Sequence, residues 1–360
     1  YKYMYFKKDV SGKNNSFFIY FLFFADFRHI QNTFIGVEYM HLNELMKIQR
    51  KSEKLSQAKF YEGIFQRNSA SLFENHNEHF LKIADLPVLA DRSNLTIPEI
   101  IRTCNEDFKS VFDKDLETYY FVLSKIQQNP DSKYNQELYS LYQKSIHEKF
   151  TSLKYMNLYL LIKLQTSSLI SEIIPVDKQD LADIKKMFSS SKRFVLYHYK
   201  ILSNLCTIFP YSDLQTLIEQ LFPLREDSDE QIKDTACLSL SNAIALSIFT
   251  KDYSSCFILL NHFETLLSNY TSYKYKLSFI ASRNMLLYFT SGDIEHIMKV
   301  FSYVEILKQV ESPEYVEQFH KNLQTIISKS DDEKAKQIFG VLDDDGQVLD
   351  PKNFDHKKID

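Results

Sequence analysis

The sequence predicts an all-α fold, in which a compact group of five short helices is followed by a long array of antiparallel helix pairs. Apolar residues recur at helical spacing through most of the 360 residues, which is the periodicity of amphipathic helices. The chain contains only 6 Gly and 8 Pro, which disfavours sheets with many tight turns. Leu, Ser and Lys are the most frequent residues, and Leu and Lys favour helices.

The five short helices are expected within residues 40–104. The first helix carries apolar residues on one face and several basic residues. Ser56 is placed to cap a second helix, which ends near Gly63. The apolar face of the first helix comprises Leu42, Leu45, Met46, Ile48 and Leu55, and its basic residues are Lys47, Arg50, Lys51 and Lys54.

The other three helices follow at short intervals. Asn68 is placed to cap a third helix over residues 68–75. A fourth helix is predicted over residues 80–89. Thr96 and Glu99 form a capping pattern with a proline between them, and this pattern predicts the first turn of a fifth helix.

The second and third helices have the layout of a helix-turn-helix, because they are short, joined by a tight turn, and the later one bears small polar side chains. A helix fits the major groove of DNA, where Asn, Ser and Arg side chains reach base edges. At the start of the second helix, a glutamine is placed to contact a phosphate with its amide and nearby backbone N–H groups. The predicted DNA-contacting residues are Gln57, Arg67, Asn68, Ser69, Ser71 and Asn75.

The charge of this segment supports DNA binding only weakly. Its Lys and Arg residues are nearly balanced by Asp and Glu, and the whole chain has a formal net charge of −4. Any affinity for nucleic acid must therefore come from a local patch. A helix-turn-helix pattern also arises by chance in all-α proteins, so a non-DNA-binding helical domain is the alternative.

Several short motifs in the same segment resemble one known family. They are Leu55-Ser56-Gln57, Glu62-Gly63-Ile64, Ser69, Ser71, Phe73-Glu74, and Asn94-Leu95-Thr96-Ile97 with Glu99. They are similar to the N-terminal domain of Rgg/GadR/MutR-type regulators, a peptide-responsive family. The resemblance covers about residues 40–330 and is densest before Cys104. It implies a helix-turn-helix followed by a tetratricopeptide-like domain that binds a short signalling peptide.

The sequence departs from the family pattern at the end of the third helix. Leu72 stands where the family usually has Arg, and Asn75-His76 stand where it has an Arg-Gly pair. Without that Arg, one phosphate or base contact is lost, and without that Gly the following turn changes.

Residues 1–39 have a different composition. Residues 17–25 form an apolar run preceded by Lys2, Lys7, Lys8 and Lys13, an arrangement that resembles a signal peptide. The run is far shorter than the roughly 20 residues that span a bilayer, and no small-residue cleavage pattern follows it. We expect residues 1–39 to be a non-native upstream extension or an unstructured segment, with natural translation starting at Met40.

Residues 105–330 are predicted to form the array of helix pairs, linked to the first domain by helical residues 108–112 and 116–127. Helices alternate with breaks at Pro210, Pro223, Asp252, Gly292 and Pro313. Grouped in twos, they form units of about 35–40 residues, a length typical of tetratricopeptide-like superhelical repeats. The strict tetratricopeptide consensus is absent. A stacked array of this kind has a concave wall that suits an extended peptide, and it is also expected to mediate dimerisation.

Local motifs of the array also resemble the family. Residues 194–204 look like a repeat helix with an aromatic residue, a Leu/Phe pair and an Asn, without the usual Trp, and residues 283–293 look like a later repeat. Polar residues within apolar helices are the candidate peptide contacts, because an Asn amide both donates and accepts and an Arg can bind a carboxylate. The candidates are Tyr197, Asn204, Asn242, Asn261, Arg283 and Asn284.

The sequence lacks the motifs that mark common enzyme active sites and metal sites. It contains no GxSxG, Walker, HExxH or GxGxxG motif, so we expect no enzymatic activity and no cofactor. Four cysteines occur without a CxxC pair or nearby His ligands, which predicts buried thiols rather than a metal site. His76 and His79 are three residues apart but have no third ligand nearby, so no metal site is predicted there.

Residues 331–360 are charged and turn-rich. Residues 343–346 resemble part of a calcium-binding loop, but the spacing of the oxygen ligands fails. We predict a solvated tail with one short helix over residues 332–339.

The sequence therefore predicts a cytoplasmic, homodimeric transcription regulator that binds double-stranded DNA, involves no membrane, and is controlled by a short signalling peptide of quorum-sensing type. The alternative is a helical-repeat scaffold that binds protein partners and does not bind DNA. A peptide-sensing regulator of another enzyme is a third interpretation.

Overall fold

A computed structural model describes residues 40–76, 81–129, 133–328, 333–338, 342 and 347. Predictions for residues 1–39, and for the segment at residues 343–346 that resembles part of a calcium-binding loop, lie outside these described residues. The chain divides into two compact units between Phe121 and Val122, here called the N-terminal unit and the repeat unit. The regular elements of the described residues up to 338 are helices, so the all-α prediction is confirmed.

The N-terminal unit consists of short helices and the first part of a longer helix that contains the division between the units. The helices are α1 (Leu42–Ser52), α2 (Gln57–Phe60), α3 (Arg67–His76), a 3₁₀ turn (Ile83–Asp85), α4 (Leu86–Ser93), α5 (Ile97–Thr103), α6 (Asn105–Phe108) and α7 (Val111–Gln128).

Two of the predicted helix caps are confirmed. The hydroxyl of Ser56 accepts a hydrogen bond from the Lys59 backbone N–H at 3.3 Å. Thr96 Oγ1 accepts from the Glu99 N–H at 3.3 Å, and Glu99 Oε2 accepts from the Thr96 N–H at 2.7 Å. These bonds satisfy donors that have no partner within the helix. They fix where α2 and α5 begin.

Other local predictions were wrong. The fourth helix begins at Leu86 rather than at residue 80, because Pro87 lacks an N–H and fits only the first turn of a helix. Asn68 does not cap α3, since the Ala70 N–H already donates to the Gln66 carbonyl at 2.9 Å. Ile48 does not belong to the buried face of α1, because 49% of its surface is exposed.

The core of the N-terminal unit holds α3 against α1 and α2. Tyr61 and Phe73 are fully or almost fully buried, and their rings meet edge to face with centroids 5.9 Å apart. Such aromatic pairs contribute more than their burial alone. The buried core residues are Leu45, Met46, Phe60, Tyr61, Ala70, Phe73, Leu89, Ala90, Ile100 and Cys104.

The repeat unit is a succession of helices with short connections. Its helices are α8 (Tyr134–Glu148), α9 (Leu153–Thr166), α10 (Lys178–Ser189), α11 (Leu196–Leu205), α12 (Tyr211–Leu221), α13 (Glu230–Phe249), α14 (Tyr253–Ser268), α15 (Tyr273–Ser291), α16 (Ile294–Val310), α17 (Pro313–Ile327) and α18 (Glu333–Ile338). The last of these agrees with the short helix predicted for the tail.

Helices of the repeat unit pack both within pairs and between pairs. α13 packs on α14, and α15 packs on α16, as expected for antiparallel pairs. Between pairs, α11 packs against both α9 and α13; these three helices are here called the central row. α13 is the one described helix long and apolar enough to cross a membrane, but 61% of that stretch is buried inside the protein, which is typical of a core helix.

Local sequence signals explain the helix ends in the repeat unit. The Asp252 carboxylate accepts from the Ser255 N–H at 3.2 Å and caps α14. The Asp293 carboxylate accepts from the Glu295 N–H at 2.9 Å and caps α16. Gly292 ends α15 with φ +72°, a conformation that favours glycine. The breaks predicted at Asp252 and Gly292 are therefore confirmed.

A buried ion pair joins α9 to α10. Lys163 and Asp180 are 3% and 4% exposed, and their Nζ and Oδ2 atoms are 2.5 Å apart. The Tyr159 hydroxyl donates to the other carboxylate oxygen at 2.7 Å. Because every charged atom of this pair has a hydrogen-bond partner, its burial is tolerated.

Candidate functional sites

The outward face of α3 is the first candidate site. Asn68, Leu72 and Asn75 are exposed and are spaced at i, i+4 and i+7, which places them on one side of the helix. The opposite side is buried in the core through Ala70, Phe73 and Glu74. The helix therefore presents a mainly polar surface while its other side anchors it.

A buried carboxylate fixes the orientation of α3. Glu74 is 3% exposed, and its Oε2 accepts from Arg50 Nη2 of α1 at 2.8 Å and from Gln57 Nε2 of α2 at 2.7 Å. Burial alone would raise the pKa of Glu74, but the hydrogen bonds from Arg50 and Gln57 outweigh it and hold that pKa below its ordinary value. The carboxylate stays ionised and ties three helices together.

The predicted DNA-contacting residues occupy different environments. Gln57 directs its amide at Glu74, so in this structure that donor serves the fold. Arg67 and Asn68 are exposed, and Ser69 and Ser71 are half-buried.

Asn75 is exposed but held in place. Its Oδ1 accepts from Lys47 Nζ at 2.8 Å, and its Nδ2 donates to the Ser71 carbonyl at 3.0 Å. The bond to Lys47 places a cation from α1 beside the last turn of α3. The sequence pattern did not indicate this pairing of Lys47 with Asn75, because the two residues are 28 positions apart.

The second candidate site is a ladder of side-chain amides across the central row. Asn204 Nδ2 in α11 donates to Asn157 Oδ1 in α9 at 3.0 Å. Asn242 Nδ2 in α13 donates to the carbonyl and to the hydroxyl of Ser203 in α11, each at 3.2 Å. This amide ladder, Asn157–Asn204 with Asn242–Ser203, links the three helices of the central row through polar groups that also suit a peptide backbone.

The Tyr197 ring and two lysine cations lie on α9 and α11, two of the helices that the amide ladder joins. Lys154 Nζ of α9 and Lys200 Nζ of α11 lie 5.9 Å and 5.2 Å from the centre of the Tyr197 ring. Cations at these distances are attracted to the face of the ring. Tyr197 and Asn204 are seven residues apart on α11, so they lie on one side of it.

The structure does not bring all six predicted peptide contacts together. Asn284 uses its amide to donate to the Ile280 carbonyl at 2.8 Å and to bind His296 of α16 at 3.1 Å. Asn261 and Arg283 are exposed on α14 and α15. Within the described residues, no side-chain hydrogen bond joins these three to the central row. Tyr197, Asn204 and Asn242 therefore form one candidate group, separate from the other three.

Asn157 completes the ladder and was missed in the sequence. It is 5% exposed and lies in the apolar helix α9. The signal used for the other candidates, a polar residue inside an apolar helix, applies equally to it. What marks it as a partner is the bond to Asn204, which only the packing of α9 on α11 reveals.

No known family model matches the chain, and neither does any curated protein. Solved structures do share its fold. The PrgX/cCF10 complex has a TM-score of 0.64 at 20% identity, covering 79% of this chain and 99% of that one. The Streptococcus dysgalactiae SHP pheromone receptor Rgg2 has a TM-score of 0.58 at 16% identity, covering 79% and 98%.

A third structure with this fold is described as a bacterial peptide pheromone/receptor complex and its mechanism of gene regulation. It has a TM-score of 0.64 at 21% identity, covering 79% of this chain and 98% of that one. These matches extend over almost the whole length of each compared chain. They confirm the all-helical fold that the resemblance to Rgg-type regulators implied.

Proposed function

We propose that the protein is a DNA-binding transcription regulator of the Rgg/GadR/MutR type, controlled by a short signalling peptide bound in its repeat unit. The observation that carries the proposal is the outward face of α3, where exposed amides project from a helix held by the Arg50–Glu74–Gln57 network. The shared fold with Rgg2, a pheromone receptor, supports the peptide control.

In this proposal α3 enters the major groove of DNA. Asn68 reaches base edges, because its amide is exposed in the first turn, where recognition helices approach bases. Arg67 and Lys47 contact phosphates, which fix the register without reading sequence. The Glu74 carboxylate prevents α3 from rotating, so the groove-facing side chains keep one orientation.

The amide ladder is the proposed peptide site. Each Asn side chain has two N–H donors and an accepting oxygen. Asn204 uses one donor on Asn157, which leaves capacity to hold a peptide unit. Tyr197, one helical turn from Lys200, adds an apolar face with a cation beside it. This combination suits an extended peptide with a carboxylate or an acidic side chain.

Regulation follows from the two sites together. Two chains pair through their repeat units and place two copies of α3 on half-sites about one turn of DNA apart. A peptide that binds one arrangement of the pair better than another shifts the balance between them. The function places the protein in the cytoplasm with its DNA and requires no cofactor and no catalytic residue.

The proposal is tested by footprinting the DNA upstream of the protein's own gene, with and without short peptides encoded by neighbouring genes. We expect a protected region of two half-sites, and a change in its affinity or extent when one peptide is added. Protection that never changes with any peptide would remove the regulatory part of the proposal. Complete absence of protection there and at related promoters would remove the DNA-binding part.

A helical-repeat scaffold without DNA binding is the second candidate. It is favoured by one observation, the exposed apolar side chain of Leu72 on the face that would meet DNA. Gel-shift titration separates the two functions, because binding through phosphates weakens steeply with salt. Binding to duplex DNA that disappears between low and moderate salt supports the regulator, and no binding at low salt supports the scaffold.

A further inference from the structure

Leu72 lies at the centre of the outward face of α3. At about 100° per residue, Asn68 and Asn75 lie within roughly 60° of Leu72 around the helix. The buried residues Ala70 and Glu74 lie on the opposite side. Leu72 is 36% exposed, although its neighbours on this face are polar. Leu72 is not one of the buried residues that form the core of the N-terminal unit.

An isolated leucine does not make a docking surface for another protein. Protein-binding patches are contiguous apolar areas of several hundred Å², whereas Asn68, Ser71 and Asn75 surround Leu72 with amide and hydroxyl groups. Asn75 is further held in place by Lys47. On the outward face of α3, whose residues the structure describes throughout, the apolar area is therefore that of one side chain, which matches a contact with one small apolar group.

The major groove of DNA offers one such group. Among the groups that base pairs present there, only the 5-methyl group of thymine is apolar, and the others are hydrogen-bond donors and acceptors. A leucine side chain has no polar atom with which to read a donor or acceptor. It distinguishes a base pair only by contact with that methyl group.

We infer that Leu72 reads the 5-methyl group of a thymine and so specifies a T at one position of each half-site. This inference rests on the proposed DNA binding and adds a specificity-determining residue to it. Asn68, one turn earlier on the same face, has an exposed amide of the kind that pairs with adenine. The two together direct α3 towards A·T base pairs.

The experiment uses the full-length chain and a random duplex library, from which bound sequences are enriched. The enriched half-site is then synthesised with each thymine replaced in turn by deoxyuridine, which removes only the methyl group. For the wild-type protein, we expect one position per half-site where this replacement weakens binding about fourfold, the effect of burying one methyl group. For Leu72→Ala, thymine and deoxyuridine at that position should bind equally well.

Two further variants keep the result interpretable. Leu72→Met retains a flexible apolar side chain and should keep the methyl effect. Ile48→Ala removes another exposed aliphatic side chain of the N-terminal unit, 49% exposed on α1, and should also leave the methyl effect unchanged. Thermal unfolding of all variants checks that each one is folded at the temperature of the binding experiment.

The inference is overturned if no thymine shows a methyl effect with the wild-type protein, or if the effect persists in Leu72→Ala. In both cases the wild-type protein still binds duplex DNA, so the proposed function stands. If the wild-type protein enriches no sequence and binds no duplex at low salt, the proposed function fails and the inference fails with it.

Discussion

The Asn204 side chain of α11 donates a hydrogen bond to Oδ1 of Asn157 in α9, a residue 47 positions earlier and 5% exposed. The bond joins two successive helix pairs of the repeat unit. A peptide that binds these amides would act directly on the contact between the two pairs. This offers a physical route from peptide binding to a change in the packing of the array.

The first prediction compares two asparagines of the repeat unit. Asn204→Ala should weaken binding of a regulatory peptide about tenfold, because the lost amide leaves polar groups without partners. Asn284→Ala should change peptide affinity little, because that amide serves α15 and α16. Calorimetric titration with the peptide measures both, and DNA affinity without peptide serves as the control. Equal losses in both variants would contradict the assignment of the amide ladder.

The second prediction concerns the carboxylate that holds α3. Glu74→Gln leaves the Arg50 guanidinium, 13% exposed, without its counter-charge, and breaking a buried pair in this way costs about 3–5 kcal/mol. We expect denaturant unfolding of the N-terminal unit at lower concentration and a parallel loss of DNA binding. Glu62→Gln, at an exposed position in the same unit, should change stability by less than about 0.5 kcal/mol.

The Glu74 carboxylate also makes the stability of the folded protein depend on pH. The pKa of Glu74 is below its ordinary value in the folded protein, so its contribution to stability is present above the unfolded-state pKa of about 4.3. It is lost as the pH falls through the lower, folded-state value. Stability measured across this acid range should fall for the wild type more than for Glu74→Gln. Parallel curves for the two proteins would contradict the assigned role.

The third prediction concerns a histidine at the start of α1. A hydrogen bond with Asp107, at 2.8 Å, and the attraction of its charge raise the pKa of His41 above 6.5. A raised pKa stabilises the folded state below the unfolded-state value, and the contribution is lost as pH rises through the folded-state value. The melting temperature of wild type should therefore converge on that of His41→Gln as the pH increases. A difference between the two proteins that does not shrink as the pH rises would contradict the assigned role of the His41–Asp107 pair.

The fourth prediction separates phosphate contacts from surface charge in general. Arg67→Ala should weaken DNA binding on all sequences and reduce the salt slope by about 1, as expected for one lost phosphate contact. Arg102→Ala removes another exposed arginine of the N-terminal unit, on α5, and should leave the slope unchanged. Fluorescence anisotropy at several salt concentrations measures both. Equal slopes for the two variants would argue against Arg67 as a contact.

Helix content and several helix boundaries followed from local patterns. Ser56 and Thr96 cap the helices that the sequence assigned to them, because a cap bonds to a backbone N–H only two or three positions away. Gly292 ends α15 because the required backbone conformation favours glycine. The start of the fourth helix is equally local, because Pro87 alone restricts where that helix can begin.

Local sequence patterns did not predict which polar residues share a surface. Asn204 and Asn284 are both asparagines within apolar helices, yet one bonds across the central row and the other bonds to the partner helix of its own pair. Gln57 had the pattern of a phosphate contact and directs its amide at Glu74 instead. The choice in each case depends on which distant helix packs alongside.

The sequence by itself determined that the protein is helical, where α2 and α5 begin, where α15 ends, and which residues are candidates for contacts with DNA and peptide. Only the tertiary structure decided that Asn157 completes a ladder with Asn204, and that Leu72 stands alone on the outward face of α3. The physical reason is how far apart in the sequence the interacting residues are. Caps and periodicity act over three or four residues, whereas burial and side-chain pairing arise between helices that are far apart in the sequence.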